Sequence, residues 1–192
     1  MHEVSTAAYW EGRYRSGETG WDLGGPCPVF VDLLGGAGAP AKGRVAFPGC
    51  GRGHDVRLFR AYGYDAIGFD FAVAPEGIPF ERLDVFELGR RYPGAFAGIV
   101  EYTCYCAIDP ARRAEYAASL RAALAPGGWL VALLFPIGEK ADGPPFGVLE
   151  SEIATVLGKG LTLVSLTTPT SSAPDRMGRE RLAVFRYTST ST

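Results

Sequence analysis

The stretch RVAFPGCGRGHDV, residues 44–56, decides the fold, together with the carboxylate that ends YDAIGFD, Asp70. A β-branched and aromatic run enters a cluster of three glycines, Gly49, Gly51 and Gly53, and a helix-like run, DVRLFRAYG, follows. A second apolar run then closes on Asp70, 21 residues after Gly49. Strand, glycine turn, helix, strand and acid is the layout of a nucleoside-cofactor site on a doubly wound α/β sheet. Glycines let the backbone approach a ligand where a Cβ would clash. A carboxylate at this spacing can accept hydrogen bonds from two ribose hydroxyls.

The glycine spacing bears on which nucleoside is bound. A dinucleotide fingerprint reads G-x-G-x-x-G. Here the order is G-x-G-x-G, and His54 stands at the last fingerprint position. Arg52 and His54 also crowd the helix-start amides that a pyrophosphate would need. The pattern leans toward S-adenosylmethionine. A nicotinamide-dependent reductase is further disfavoured because the chain has no Tyr-x-x-x-Lys pair.

Around this unit the composition is that of an ordinary globular protein. The 192 residues are 47% hydrophobic and 21% charged, with a net charge of −2. One domain over 1–192 is expected, long enough to bury a core without staples. The charge balance marks no nucleic-acid partner. The longest apolar run, WLVALLF at 129–135, is too short to span a bilayer and suits a strand buried on both faces. MHEVSTAAYWEGRYRSG has no apolar core of signal-peptide type. A cytoplasmic monomer with a small-molecule acceptor and no membrane contact is therefore expected. Cys27, Cys50, Cys104 and Cys106 form no C-x-x-C pair, and neither His2 nor His54 is near them in sequence. They read as buried, reduced thiols, and no metal is expected.

Strand and helix alternate along the chain. Residues 5–16 read as an amphipathic helix capped by Ser5 or Thr6. Pro26 and Pro28 open a helix through VFVDLL that stops at Gly35 and Gly36. RVAF is the first strand, residues 54–63 a helix, YDAIGFD the second strand, IPFERLDV the third and 97–104 the fourth. A helix is expected over 110–128, with Pro first and Gly last. Arg112, Arg113, Glu115 and Arg121 on it read as a solvated face. WLVALLF is the fifth strand and VLESEIATVLG a helix. LTLVSLTTP and RLAVFRYTS form an antiparallel pair joined by SSAPDRMG. The tail TSTST is expected to fray. In such sheets ligands bind outside the strand carboxyl ends, where strand order reverses. Gly49, Asp70, Asp84 and Tyr102 all fall at such ends.

Six blocks, in order, carry a family resemblance: WEGRYRSGETGWDLGGPCP, VAFPGCGRGHDV, EYTCYCAIDP, LAPGGWLVALLFP, DGPPFGV and RMGRERLAVFRY. Through them nearly the whole chain resembles the thiopurine S-methyltransferase family, most closely its halide/thiol methyltransferase branch. The resemblance implies an α/β class I Rossmann-like methyltransferase sheet, three-layer αβα, with an antiparallel last strand. It implies S-adenosyl-L-methionine as cofactor and a thiol, hydrosulfide, thiopurine or halide as acceptor. It places an N-terminal lid over 1–36, with Trp10, Tyr14 and Trp21 covering the cofactor, and a core over 43–187. Gly49 would lie beneath the methionine part, Asp70 at the ribose, Asp84 and Val85 beside the adenine, and Tyr102 near the reaction centre. Two departures stand out. The family usually has a full helix between the second and third strands, where this chain has only FAVAPEGIPFER. Tyr14 stands where the closest relatives often have Trp.

Methyl transfer from a sulfonium is a direct displacement that needs alignment and dryness more than acid–base groups. No Ser/His/Asp or paired-carboxylate constellation is evident. The acceptor pocket is expected among the N-terminal segment, Tyr102, Tyr105, Phe146 of the GPPF loop, and Arg176 and Arg179 of RMGRE. The two arginines are candidates for attracting an anion. Asp109 reads as a helix cap that a thiol proton could also reach. A cofactor-binding protein with little or no turnover is the alternative.

Overall fold

A computed structural model describes residues 3–188. His2 and the tail from Ser189 onward, where fraying was expected, lie outside the described residues. Seven strands form one sheet in the order β3-β2-β1-β4-β5-β7-β6. They are β1 Arg44–Pro48, β2 Asp65–Asp70, β3 Phe80–Arg82, β4 Phe96–Tyr102, β5 Leu124–Leu134, β6 Thr162–Thr167 and β7 Arg181–Arg186. The first five strands run parallel, and β7 pairs antiparallel with both β5 and β6.

Side-chain alternation makes this a three-layer structure, because successive residues of a strand face opposite sides. Val45 and Phe47 of β1, with Trp129, Val131 and Leu133 of β5, bury against one pair of helices. These are α2, Pro28–Gly35, and α3, His54–Ala61. Ala46, Ile99, Leu130, Ala132 and Leu134 point the other way. They meet the short α4, Leu88–Arg91, and α5, Arg113–Ala123. WLVALLF is buried throughout except for Phe135, as a central strand should be. The N-terminal helix α1, Ala7–Ser16, is capped by the Thr6 hydroxyl, which accepts the Tyr9 N–H at 3.4 Å. Among the described residues no helix is long and apolar enough to cross a membrane.

Three local expectations fail. The helix expected over 110–128 is a 3-10 turn, Pro110–Arg112, followed by α5, and it ends at Ala123. Pro126 has no N–H to donate and disfavours helix at Ala125. Leu124 instead pairs with Phe96 and begins β5. Arg113 does not belong to a solvated face. It is buried, pairs with Glu152 at 2.6 Å and donates to the Gly147 carbonyl at 2.9 Å. The preceding 3-10 turn resets the helix phase and turns this position inward. VLESEIATVLG makes only one α-turn, α6 at Glu150–Glu152, and continues as a π-helical turn, Ile153–Leu157, that buries Ile153 and Leu157.

The link between β2 and β3 holds no helix, as its length implied. Packing of β4 on β5 is tightest at Gly98, where a Cβ would lie 2.2 Å from the Trp129 ring. That ring is fixed by its Nε1–H donating to the Ala41 carbonyl at 3.0 Å. Gly98→Ala is expected to destabilise the fold by ~1–3 kcal/mol through overpacking. The check is the midpoint of denaturant unfolding, which should fall. An unchanged midpoint would mean that the indole yields without cost.

Candidate active site

Strand order reverses between β1 and β4, and the site lies at the carboxyl ends beside that point. Gly49 follows β1 directly with φ +63, and a Cβ there would lie 2.8 Å from the Cys104 Sγ. Only glycine meets both the left-handed backbone and the close approach.

Asp70 ends β2. One carboxylate oxygen accepts the Gly51 N–H at 3.1 Å; the other accepts those of Ala72 at 2.8 Å and Val73 at 3.3 Å. Burial pushes its pKa up, and the three N–H bonds oppose that shift. The residues after β2 replace the missing helix with a tied loop. Arg82 fastens it from β3 by donating to the Phe71 carbonyl at 2.6 Å. Phe71 and Ala72 thereby become cavity wall. Past β3, the Asp84 carboxylate accepts the Phe86 N–H at 3.0 Å and caps a 3-10 turn, Val85–Glu87.

These groups surround a cavity of about 280 Å³. Trp10, Tyr14, Trp21, Gly49, Asp70, Asp84, Val85 and Arg176, all expected at the site, line it. Trp21 stands edge-on to Trp10 at 5.3 Å and to Tyr14 at 5.5 Å, and its Nε1–H donates to the Tyr14 hydroxyl at 3.3 Å. The aromatic segment is therefore one packed unit. Arg176 lines the cavity beside this segment, 5% exposed, not at a solvated hairpin tip. Its guanidinium donates to the Tyr102 hydroxyl, to the Trp21 carbonyl at 3.0 Å and to the Gly20 carbonyl at 3.4 Å.

Four expected site residues do not line this cavity. Tyr102 stands behind Arg176, against Phe30 at 5.6 Å, and lines a smaller adjoining cleft with Asp55 and His54. Its hydroxyl accepts from Arg176 and donates to Glu180 at 3.4 Å. Tyr105 is fully buried beneath the Arg113 guanidinium, 4.7 Å from its ring. Left-handed backbone at Thr103, φ 57, reverses the chain there. Thr103 and Cys104 take the wall and Tyr105 turns into the core. Phe146 is buried behind the wall that Pro144 and Pro145 form, its N–H bonded to the Cys106 carbonyl at 2.8 Å. Arg179 is exposed and stacks over Phe135 at 5.1 Å from outside.

Sequence reasoning also missed Arg13, Phe86 and Phe135, which line the cavity. Arg13 was discoverable, since it lies one position before Tyr14 and three after Trp10. Phe135 ends an apolar run and gave no signal of exposure to a ligand. Asp109 lines the cavity and caps the following turn by accepting the Ala111 N–H at 3.0 Å. Among the described residues no His or Lys lines the cavity.

The residues fit an adenosyl sulfonium ligand. A backbone cradle at Gly49, a buried carboxylate at Asp70, an apolar slot of Ala72, Val85 and Phe86, and aromatic rings opposite supply each part of such a contact surface. Solved structures agree on the fold. One concerns the conversion of a disulfide bond into a thioacetal group during echinomycin biosynthesis; it matches with a TM-score of 0.79 over 97% of this chain and 94% of that one, at 20% identity. Another is the Burkholderia thailandensis 1,6-didemethyltoxoflavin-N1-methyltransferase with bound S-adenosylhomocysteine, TM-score 0.69, 21% identity, covering 95% and 87%. Fold and site together define an S-adenosylmethionine-dependent methyltransferase of class I architecture. The family model for thiopurine S-methyltransferase matches residues 5–79 and 72–190, and the chain belongs to that family. A probable thiol methyltransferase 2 of Arabidopsis thaliana is 32% identical over 99% of this chain and 89% of its own length. Thiocyanate methyltransferase 1 of the same plant is 31% identical over 97% and 87%. A thiopurine S-methyltransferase of Pseudomonas aeruginosa is 28% identical over 77% and 79%.

Asp70→Ala is expected to weaken S-adenosylhomocysteine binding by ~1–3 kcal/mol, the cost of losing hydrogen bonds to a charged acceptor. Isothermal titration of a variant with native far-UV circular dichroism checks this. Wild-type affinity would remove Asp70 from the site.

Proposed function

We propose that the protein transfers a methyl group to a small, soft, anionic nucleophile: a thiolate, hydrosulfide, thiopurine thiolate or halide. One observation carries this reading, the buried guanidinium of Arg176 on the cavity wall. A cation so placed attracts an anion more strongly than one in water. The relatives named thiol and thiocyanate methyltransferases support the same class of acceptor.

When bound, S-adenosylmethionine supplies a methyl group already activated on a sulfonium. The chain's own task is then to hold, orient and dry the reactants. Gly49 and Asp70 hold the methionine and ribose parts, and Asp84 and Val85 flank the base. Trp10, Tyr14 and Trp21 exclude water and present ring faces that attract a cation by ~0.5–2 kcal/mol. Arg176 orients the acceptor anion, with Tyr102 behind it as support. Hydroxyl and amine acceptors generally need a positioned base near neutral pH. A thiol is already partly ionised and intrinsically very nucleophilic. The cavity carboxylates are engaged with backbone amides, which suits acceptors that need no base.

We also propose that the front of the stretch 1–36, through Trp21, acts as a lid on the core within one domain; the rest of that stretch, α2, is itself core, since Val29, Phe30 and Leu34 pack on the sheet. A monomer in a reducing compartment such as the cytoplasm fits the four free cysteines.

Two outcomes are expected. Incubation with labelled S-adenosylmethionine and a mixed panel should methylate iodide, hydrosulfide or small thiols, and leave catechols and amines untouched. The reverse pattern would overturn the acceptor class, and tight cofactor binding without any product would favour a non-catalytic binder. Deleting residues 1–22 should preserve the sheet's circular dichroism and abolish turnover. Normal turnover by the truncated protein would remove the lid.

A further inference from the structure

Beneath the cavity β4 carries a second buried carboxylate, one that methyl transfer does not use. Glu101 is 0% exposed. One of its oxygens accepts the Tyr105 N–H at 2.5 Å, and the Cys104 amide also favours its charged form. The other oxygen has no hydrogen bond among the described residues. The titratable and charged groups that face it are Arg113 and Tyr116 from α5, and Cys104, Tyr105 and Cys106 from the turn. Arg113 attracts Glu101 across a gap, but its guanidinium is bonded to Glu152 at 2.6 Å and to the Gly147 carbonyl at 2.9 Å. The hydrogen bonds of Glu101 therefore go to the backbone of one turn.

That turn is under constraint. Thr103 holds a left-handed backbone, φ 57, which a β-branched residue rarely adopts. Cys104 is pressed against Gly49, so closely that a Cβ on Gly49 would lie 2.8 Å from its sulfur. Thr103, Cys104, Cys106 and Ala107 present the cavity floor. Strained backbone persists only where its surroundings hold it, and Glu101 is the side chain that accepts an amide of this turn, that of Tyr105.

We propose that Glu101 is the positioning residue of the cavity floor: its carboxylate caps the turn Tyr105–Ala107 and holds Thr103 and Cys104 against Gly49, which keeps the cofactor cradle in shape. This rests on the cofactor assignment above. An ionised acceptor makes the stronger N–H bonds. Burial raises the Glu101 pKa to about 7, against the opposing pull of the Tyr105 and Cys104 amides and Arg113. The floor is then firmest when pH exceeds that value. Folding stability runs the other way. A raised folded pKa favours the protonated form, so this contribution is full below the ordinary value of 4.5 and is lost as pH rises through about 7. A merely structural group would move stability alone; a positioning group also moves cofactor affinity, in the opposite direction.

The test is calorimetric titration of the full chain with S-adenosylhomocysteine from about pH 5.5 to about pH 8.5, bracketing the titration. Wild-type affinity should rise with pH. Glu101→Gln keeps an acceptor oxygen but does not titrate, so it should bind and lose that rise; any contribution of Asp70 persists in both proteins and cancels. Glu101→Leu has no acceptor and should bind about tenfold to a hundredfold more weakly, as expected for losing a hydrogen bond to a charged group. Superimposable pH profiles for wild type and Glu101→Gln would overturn the proposal, as would a folded Glu101→Leu with wild-type affinity. If Glu101→Leu does not fold, the Glu101→Gln profile decides. Failure of the wild type itself to bind would instead overturn the cofactor assignment.

Discussion

The site depends on one carboxylate bridging two loops. Asp70 accepts N–H groups from Gly51 on the loop after β1 and from Ala72 and Val73 on the loop after β2. The loop after β2 has no helix to hold it, since none lies between β2 and β3. A buried carboxylate without such donors would be costly. With them it orders both walls of the cavity. Asp70 therefore shapes the site before it meets any ligand. The shortened connection is compatible with a formed cleft because Phe71 and Ala72 fill the wall, tied at one end by Asp70 and at the other by Arg82.

The N-terminal segment is held differently. Its polar ties go to three separate elements: Glu11 to Arg82 at 3.5 Å, Asp22 to Arg52 at 2.7 Å with His54 Nε2 at 3.2 Å, and the Gly20 and Trp21 carbonyls to Arg176. Arg82 and Arg52 are half-exposed, and exposed ion pairs contribute only ~0–1 kcal/mol each. α1 buries none of its residues completely. Before Gly20 the segment is therefore fastened by weak surface pairs and one aromatic cluster, the low-stability kind of attachment from which lids are drawn. Arg176 joins this segment to the cavity wall, since one guanidinium both lines the cavity and bonds to the Gly20 and Trp21 carbonyls.

Much of this was legible in the chain because it rests on local chemistry. Glycine at Gly49 reports a backbone need, and an acid at the end of β2 reports a donor-lined crevice. Alternating strand faces report layers. The aromatic trio was visible only through family resemblance, since Trp10, Tyr14 and Trp21 carry no periodic signal of their own. Illegible parts depend on where the chain reverses. One left-handed residue, Thr103, sends Tyr105 into the core instead of the pocket. A 3-10 turn before α5 turns Arg113 inward. The antiparallel return of β7 leaves Arg179 outside while the turn at Pro174–Arg176 carries Arg176 in. Such choices are made by tertiary packing, and neither propensity nor spacing encodes them.

The distribution of buried charge fits a reaction without proton transfer. Asp70, Asp84 and Asp109 all reach the cavity, and each has already accepted backbone amides. Tyr102, whose hydroxyl accepts from Arg176, is held protonated chiefly by burial. Cys104 and Cys106 on the floor are likewise held as thiols, chiefly by burial and next by the Glu101 charge. Nucleophilicity must therefore arrive with the acceptor. A site whose own thiols and hydroxyls are kept protonated also protects itself, since a thiolate on its floor would compete for the methyl group. The negative charge of Glu101 beneath Cys104 serves that end as well as the shape of the turn.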